Sequence, residues 1–405
     1  MMRPTMNAAT AVTSTTVVQV LTAFAALTIP SLVPLVVGEA GLHAVDVGTF
    51  ISIVYAAAAL VTIFAGHLVH RFGAIRTCQF AVALCAAGLL MARTGSAVGL
   101  VAGAVALGLG YGPVTPASSH LLSQSTSAAN RRLIFSLKQT GVPAGTALAG
   151  ALVPVATLAL GWRVALGLVV IVCLLVALGL QAVRTGLDEP TNNHGYNARP
   201  GMLSSITIAL SQPYLRLLAL TAFVLGGAQM CASTFLISYF YRGLGYPPLA
   251  AGAMLSVANV AGVVFRLVWG AAADRGANPR LLLAALALLT CFAQAIVAWP
   301  SLMASHAAAM AVCFVMGAAA IGWNGVLLAE IAEAVPVNQV STATAGCLFF
   351  SFGGVMTFPA FFGAIRHASG GYSASWLWMA GTAAALALIL LVSGRRFSGN
   401  VVARG

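Results

Sequence analysis

Long apolar runs alternate with short polar segments along nearly the whole chain. A helix needs about 20 apolar residues to cross a bilayer, and about twelve runs come close to that length. Their approximate bounds are 14–38, 45–69, 77–93, 97–122, 133–158, 162–183, 214–240, 247–271, 280–299, 302–328, 340–364 and 372–393. The pattern therefore predicts an all-α membrane protein with twelve transmembrane helices.

One polar segment is longer than the others and divides these runs six and six. It covers residues 184–213, and its Pro, Gly and Asn content favours a linker over a packed element. We therefore expect an N-terminal six-helix half at 1–183, a cytoplasmic linker at 184–213, and a C-terminal six-helix half at 214–405 with a short cytoplasmic tail.

The composition supports a lipid environment. Of the 405 residues, 60% are hydrophobic and only 6% are charged, whereas soluble domains carry about 25% charged residues. A net charge of +12 would suggest nucleic acid as the partner of a soluble protein. Here the basic residues lie mainly in loops between apolar runs, so we expect a lipid bilayer as the partner and no nucleic acid.

The distribution of basic residues predicts the orientation. With the N-terminus inside, thirteen arginines fall on the cytoplasmic side and four on the opposite side. Because Lys and Arg accumulate in cytoplasmic loops, both termini are expected in the cytoplasm. The two remaining basic residues, Lys138 and Arg266, lie within predicted spans.

The sequence offers no pattern typical of catalysis or metal binding. It has no phosphate-binding Gly-x-x-x-x-Gly-Lys-Ser/Thr loop, its seven histidines lack metal-ligand spacing, and its seven cysteines form no Cys-x-x-Cys pair. We therefore expect no enzymatic activity, no cofactor and no metal.

The two halves repeat a loop motif. Gly66, Arg71 and Arg76 align with Gly270, Arg275 and Arg280 at a constant offset of 204 residues. A six-plus-six duplication with this loop in both halves resembles the major facilitator superfamily, whose loop reads Gly-x-x-x-Asp-Arg-x-Gly-x-x-Arg/Lys. The first copy has His70 at the aspartate position, and the second has Ala277 at the glycine position.

The resemblance implies the major facilitator fold and a gating role for this loop, in which the aspartate helps to hold the cytoplasmic side closed. The residues that match the motif and are expected to gate are Asp274, Arg275, Arg280, Arg71 and Arg76.

The two basic residues within spans are the main candidates for substrate binding, because a charge at the bilayer centre costs at least ~2.5 kcal/mol. Lys138 and Arg266 lie at similar depths, about 9 and 12 Å from the cytoplasmic face at 1.5 Å per residue. The seven carboxylates all fall in loops or near span ends. An anionic substrate is one partner for these cations; the alternatives are that Lys138 extends to the headgroups and that Arg266 braces a helix end.

Two local resemblances refine this expectation. The stretch from Asn259 to Arg275 resembles helix 8 of monocarboxylate- and oxalate-type carriers, in which an arginine at the place of Arg266 binds the substrate carboxylate. Those carriers often have an aspartate where this chain has Asn259. The run Lys138-Gln139-Thr140-Gly141 resembles cyanate-porter-like and organic-acid carriers. These matches make Asn259 and Gln139 further candidates.

By analogy with the family, helices 1, 4, 7 and 10 line the cavity, and each of them carries polar residues. The resulting substrate-binding candidates are Gln19, Tyr111, Thr115, Gln229, Trp323 and Asn324. Hydrogen bonds between helices would explain any one of them without a ligand. The candidates for proton coupling are His120 and Glu330, with Glu39 or Asp46 on the outer side.

The expected function is secondary active transport of a small organic anion, monocarboxylate-like, by proton symport and alternating access. The resemblance also implies a monomer in a bacterial inner membrane. The alternative is a proton-coupled exporter of drugs or amphipathic metabolites, although the lack of a carboxylate deep in a span argues against cationic drugs. No residue supports a membrane enzyme or a receptor.

The thirteen-to-four bias generates a prediction about topology. Reporter fusions at Gly195 and Gly405 should both score cytoplasmic, because basic loops are retained inside. An external score at either position would contradict the twelve-span topology.

Overall fold

The computed structural model describes residues 8–32, 47–188 and 204–393, which form helices and short connections and, within these ranges, no strand. The first nine α-helices are α1 (Ala8–Leu32), α2 (Val47–Thr62), α3 (Ala65–Phe72), α4 (Ala74–Ala92), α5 (Ala97–Tyr111), α6 (Val114–Ser125), α7 (Arg131–Gln139), α8 (Gly141–Leu160) and α9 (Trp162–Leu187). The others are α10 (Ser204–Ser211), α11 (Pro213–Ser238), α12 (Pro248–Asp274), α13 (Pro279–Val297), α14 (His306–Met316), α15 (Asn324–Ala334), α16 (Val340–Ser369) and α17 (Ser373–Val392).

Within the described ranges, eleven helical stretches are long and apolar enough to cross a membrane, and the bent pair α2–α3 provides a twelfth. The predicted all-α, twelve-span fold is confirmed. Two short π-helical segments extend spans, Tyr239–Gly243 after α11 and Gly317–Ile321 after α14.

The chain divides into two compact units. The first comprises Met1–Ala209 with Val335–Phe349, and the second comprises Leu210–Ala334 with Phe350–Gly405. The predicted division at 1–183, 184–213 and 214–405 stays a prediction, but helices enter both ends of the segment expected to be a linker. Helix α9 continues to Leu187, and Ser204–Ser211 form α10.

Four of the predicted spans are bent or interrupted rather than straight. The span 45–69 bends by 58° between α2 and α3, and the span 97–122 is interrupted between α5 and α6 at Gly112 and Pro113. The span 133–158 breaks at Thr140, and the span 302–328 contains the π segment and continues to Ala334.

Two of these breaks have a cause in proline chemistry. Pro116 and Pro143 lack the N–H that a helix donates to the carbonyl four residues earlier. The carbonyl oxygens of Gly112 and Gln139 therefore lose their helical donors, and the break falls at or next to each of them. In lipid such oxygens need other partners.

Close helix contacts hold the first unit together. Helix α1 packs along α8, where a Cβ atom on Gly145 would meet the side chain of Ala23 at 2.9 Å and the Phe24 backbone nitrogen at 2.9 Å. Small residues permit such close approaches between helices in a membrane. In the second unit α13 packs along α17. The end of α13 also contacts the π segment that follows α11, where the Tyr239 hydroxyl donates to the Val297 carbonyl at 2.5 Å.

Asp188, at the end of α9, caps the start of α4. Its Oδ1 and Oδ2 accept hydrogen bonds from the backbone N–H groups of Ile75 and Arg76 at 2.8 and 3.0 Å, and Arg184 lies 3.8 Å from Oδ2. Burial raises the pKa of the Asp188 carboxyl, whereas the two N–H groups and Arg184 act in the opposite direction. A negative charge at a helix N-terminus is stabilising, so this contact fixes α9 to α4.

The same contact explains why the second glycine of the loop motif, Gly73, has no side chain. Gly73 has φ = 93°, a conformation that residues with a side chain disfavour, and a Cβ atom there would lie 2.5 Å from the Asp188 Cγ. We therefore expect Gly73→Ala to lower the thermal unfolding temperature of the detergent-solubilised protein, through backbone strain of about 1–3 kcal/mol and the displaced cap.

Gly161→Ala is a matched control, because Gly161 has a similar φ of 82° but a Cβ atom there would have no other atom within 4 Å. This variant should show the effect of backbone strain alone. If Gly73→Ala destabilises no more than Gly161→Ala, Asp188 does not constrain this turn.

Candidate substrate-binding site

Lys138 lies at the centre of a buried polar cluster in the first unit. Its ammonium donates to Gln19 Oε1 at 2.6 Å, to Gln139 Oε1 at 3.1 Å and to Thr115 Oγ1 at 3.3 Å. Thr115 in turn donates to Gln19 Oε1 at 3.1 Å. The structure thus brings together four of the predicted site residues, which come from α1, α6 and α7.

The surroundings of Lys138 exclude the headgroup alternative for this conformation. The side chain is 2% exposed, so it does not extend to the membrane surface. Its three hydrogen-bond acceptors are uncharged amide or hydroxyl oxygens. The contacts with Gln19 and Thr115 show that this end of α7 faces α1 and α6.

Tyr111 ends α5, four residues before Thr115 of this cluster. Its ring packs edge to face against Tyr55 of α2, with ring centroids 6.2 Å apart.

Arg266 is the buried basic residue of the second unit. It is 1% exposed, and its Nε donates to the carbonyl oxygen of Ile321 at 2.9 Å. Ile321 is the last residue of the π segment, where the regular helical hydrogen bonds of this span are interrupted. Arg266 therefore braces a helix break, a role close to the bracing alternative that the sequence left open.

Two tryptophans support the same break. Trp269 Nε1 donates to the Ala318 carbonyl at 2.8 Å, and Trp323 Nε1 donates to the Ala320 carbonyl at 3.1 Å. The Trp323 indole N–H, expected at the substrate, is thus engaged with backbone. A Cβ atom on Gly262 would lie 2.6 Å from the Ile321 side chain, so α12 contacts the π segment directly.

The other predicted residues of the second unit form two separate contacts. Asn324 Nδ2 donates to Gln229 Oε1 at 3.0 Å, which links α15 to α11. Asn259 Nδ2 donates to the Leu255 carbonyl of its own helix at 3.0 Å. All three side chains are partly exposed.

The repeat relates Arg266 to a neutral residue in the first unit. At the offset of 204 residues, Arg266 corresponds to Thr62. The Thr62 hydroxyl is 2.6 Å from the Ala58 carbonyl of its own helix and 3.1 Å from the carbonyl of Gly112, the oxygen that loses its helical donor to Pro116. In each unit, therefore, a side chain at the same repeat position contacts the carbonyl of an interrupted neighbouring helix.

The two coupling candidates have different surroundings. His120 lies 3.2 Å from Gln124 Nε2 through its Nε2, and its ring centroid is 6.0 Å from that of His70. Glu330 is 7% exposed and accepts a hydrogen bond from the Tyr214 hydroxyl at 2.7 Å. Glu39 and Asp46 lie outside the described residues.

The expected gating residues lie at or near helix ends within their units. Arg76 Nη1 lies 3.2 Å from Gln79 Oε1, and Arg71 lies over the Phe72 ring at 5.3 Å. The exposed Arg275 follows Asp274, which is the last residue of α12, and Arg280 lies in the first turn of α13.

Sequence reasoning missed Asp188. The apolar pattern assigns this residue to the linker, and nothing near it in the sequence indicates that it caps α4.

The protein has membrane-spanning helices in two compact units, and in each unit a basic residue is buried among interrupted helices. These features are typical of a polytopic transporter. The match of residues 15–346 to the family model of the Major Facilitator Superfamily agrees with them. The chain belongs to this superfamily, and it is a secondary transporter rather than an enzyme.

Solved structures share the fold at low sequence identity. The E. coli fucose:proton symporter FucP has a TM-score of 0.72 and 15% identity, covering 93% of this chain and 98% of that chain. FucP in an outward conformation also has a TM-score of 0.72 and 15% identity, with 92% and 97% covered. The proton:xylose symporter XylE has a TM-score of 0.68 and 15% identity, with 95% and 96% covered. No curated protein sequence matches the chain significantly.

Proposed function

We propose that this transporter carries a small organic anion, monocarboxylate-like, by proton symport. The observation that carries the proposal is the environment of Lys138, whose ammonium is 2% exposed and contacts three uncharged oxygens. An ammonium at this depth is costly unless an anion approaches it. A substrate carboxylate would supply that charge.

The repeat supports a second role for Arg266 beyond bracing. Thr62 makes the equivalent contact with a neutral hydroxyl, so a helix break of this kind does not require a cation. The resemblance to monocarboxylate- and oxalate-type carriers suggests that the positive charge of Arg266 serves carboxylate binding. The planar guanidinium suits a carboxylate held by two parallel hydrogen bonds.

The negative charge of the substrate favours proton symport as the mechanism of uptake. Carrying one negative charge into a cell with a negative interior costs about 2.3 kcal/mol per 100 mV, and a co-transported proton cancels that cost. The structural neighbours FucP and XylE are named as proton symporters. We place the protein in a bacterial inner membrane as a monomer, with both termini cytoplasmic and with His120 and Glu330 as candidate proton carriers.

The first test removes the charge of Arg266. We expect Arg266→Gln to weaken carboxylate uptake into proteoliposomes by roughly 10- to 150-fold, which corresponds to the ~1.5–3 kcal/mol of a charged hydrogen bond. Arg266→Lys should weaken uptake less, because it keeps the charge but loses the planar pair of donors.

Thr62→Val is the matched control, because it removes the equivalent contact of the first unit without changing charge. It should lower stability but keep carboxylate affinity. Uptake by folded Arg266→Gln at the wild-type rate would refute the anion site and favour the exporter of amphipathic compounds.

A second test addresses Lys138. Lys138→Ala should raise the KM for the carboxylate severalfold while transport continues, because its ammonium contributes attraction rather than the bidentate contact. Lys138→Arg, which keeps the charge, should recover part of the affinity. An unchanged KM in Lys138→Ala, with folding checked by size-exclusion chromatography, would remove Lys138 from the site.

A further inference from the structure

A small cavity in the first unit lies next to the Lys138 cluster. Helices α1, α2, α5 and α8 enclose it, and its walls include Ala23, Val54, Tyr55, Tyr111, Val142 and Thr146. None of the lining residues is charged, and most of them are aliphatic or aromatic.

The position of the cavity follows from the helix register. Ala23 is four residues after Gln19, Val142 is four residues after Lys138, and Tyr111 is four residues before Thr115. Consecutive spans cross the membrane in opposite directions, so the first and fifth spans run the same way and the fourth runs against them. Two steps forward on the first and fifth spans and one step back on the fourth therefore lead toward the same side of the membrane. The step from Gln19 to Ala23 lies within the unbroken α1, where four residues advance about 6 Å, so this wall of the cavity lies roughly one helical turn beyond the side chain that contacts the ammonium.

The size of the cavity limits what it can hold. Its volume is about 20 Å³, slightly more than the space that one water molecule requires. A water would need two to four polar partners, whereas this wall is mainly apolar. A methyl group or the end of a short alkyl chain fits both the size and the chemistry.

We propose that this cavity is the subsite for the apolar tail of the substrate, which makes the cargo a short-chain monocarboxylate, since one helical turn of about 6 Å must also hold the hydrogen bond of about 2.8 Å between the ammonium and the carboxylate. The inference rests on the organic-anion function proposed above. It also excludes dicarboxylates of the same length, because a second carboxylate would be buried in an apolar wall without a cation.

The experiment measures uptake of unbranched monocarboxylates with two to eight carbons, and of matching dicarboxylates, by the full-length protein in proteoliposomes. For the wild type, the kcat/KM of uptake should rise by about fourfold per added methylene up to the optimum, as expected for burial of a CH2 group, and then fall. Dicarboxylates should compete at least tenfold less well than monocarboxylates of equal length, a margin of about 1.4 kcal/mol.

Variants of the wall should move the optimum. Val142→Leu fills the cavity and should shift the preference to acids shorter by one or two carbons. Tyr111→Ala enlarges it and should shift the preference to longer acids, whereas Tyr111→Phe, which keeps the ring, should keep the same optimum chain length whatever its effect on the rate. Val155→Leu is the control for Val142→Leu, because Val155 lies on the same helix with 66% of its surface exposed.

The outcomes separate the two proposals. If carboxylates are carried but neither Val142→Leu nor Tyr111→Ala changes the chain-length profile, the tail subsite is wrong and the organic-anion function stands. If the wild type carries no carboxylate of any length, the organic-anion function fails and the tail subsite fails with it. A folded Tyr111→Ala protein that prefers longer acids supports the subsite.

Discussion

Within a bilayer, every backbone oxygen of a span needs a hydrogen-bond donor from the protein. The hydrogen bond from Arg266 to the Ile321 carbonyl meets this requirement at a helix break. The transporter interrupts several of its spans, and each interruption frees carbonyl groups. At two of these interruptions, side chains from neighbouring helices supply donors. Thr62, Arg266 and Trp269 are therefore positioned first by the backbone that they complete, and any role in transport is added to that constraint.

The two units meet this requirement with different chemistry at the same repeat position. Thr62 contacts the Gly112 oxygen with a hydroxyl, and Arg266 bonds the Ile321 oxygen with one edge of a guanidinium. A hydroxyl has one proton to donate, whereas a guanidinium has five N–H donors and a permanent charge. The second unit thereby carries a permanent positive charge at a place where Gly262 packs closely against Ile321.

The sequence predicted the architecture because apolar run length is a direct consequence of bilayer thickness. It also singled out Lys138 and Arg266, since charges within spans are rare. It did not predict the break between α5 and α6, which depends on Pro116 acting on a carbonyl four residues away within a run that remains apolar. Nor could it predict Asp188 as the cap of α4, because that contact joins residues more than 100 positions apart in the sequence through tertiary packing alone.

The kind of partner that holds Lys138 decides how readily its ammonium can engage a substrate. Carboxylate partners would compete with an incoming anion for the same charge, and displacing them would leave a buried negative group unpaired. Gln19, Gln139 and Thr115 hold the ammonium through amide and hydroxyl oxygens, and each of these side chains can also donate a hydrogen bond. When an anion arrives, the amide groups and the hydroxyl can turn their donors toward it. The cluster can therefore exchange an internal acceptor for a substrate oxygen without leaving a charge behind, which favours reversible binding over permanent capture.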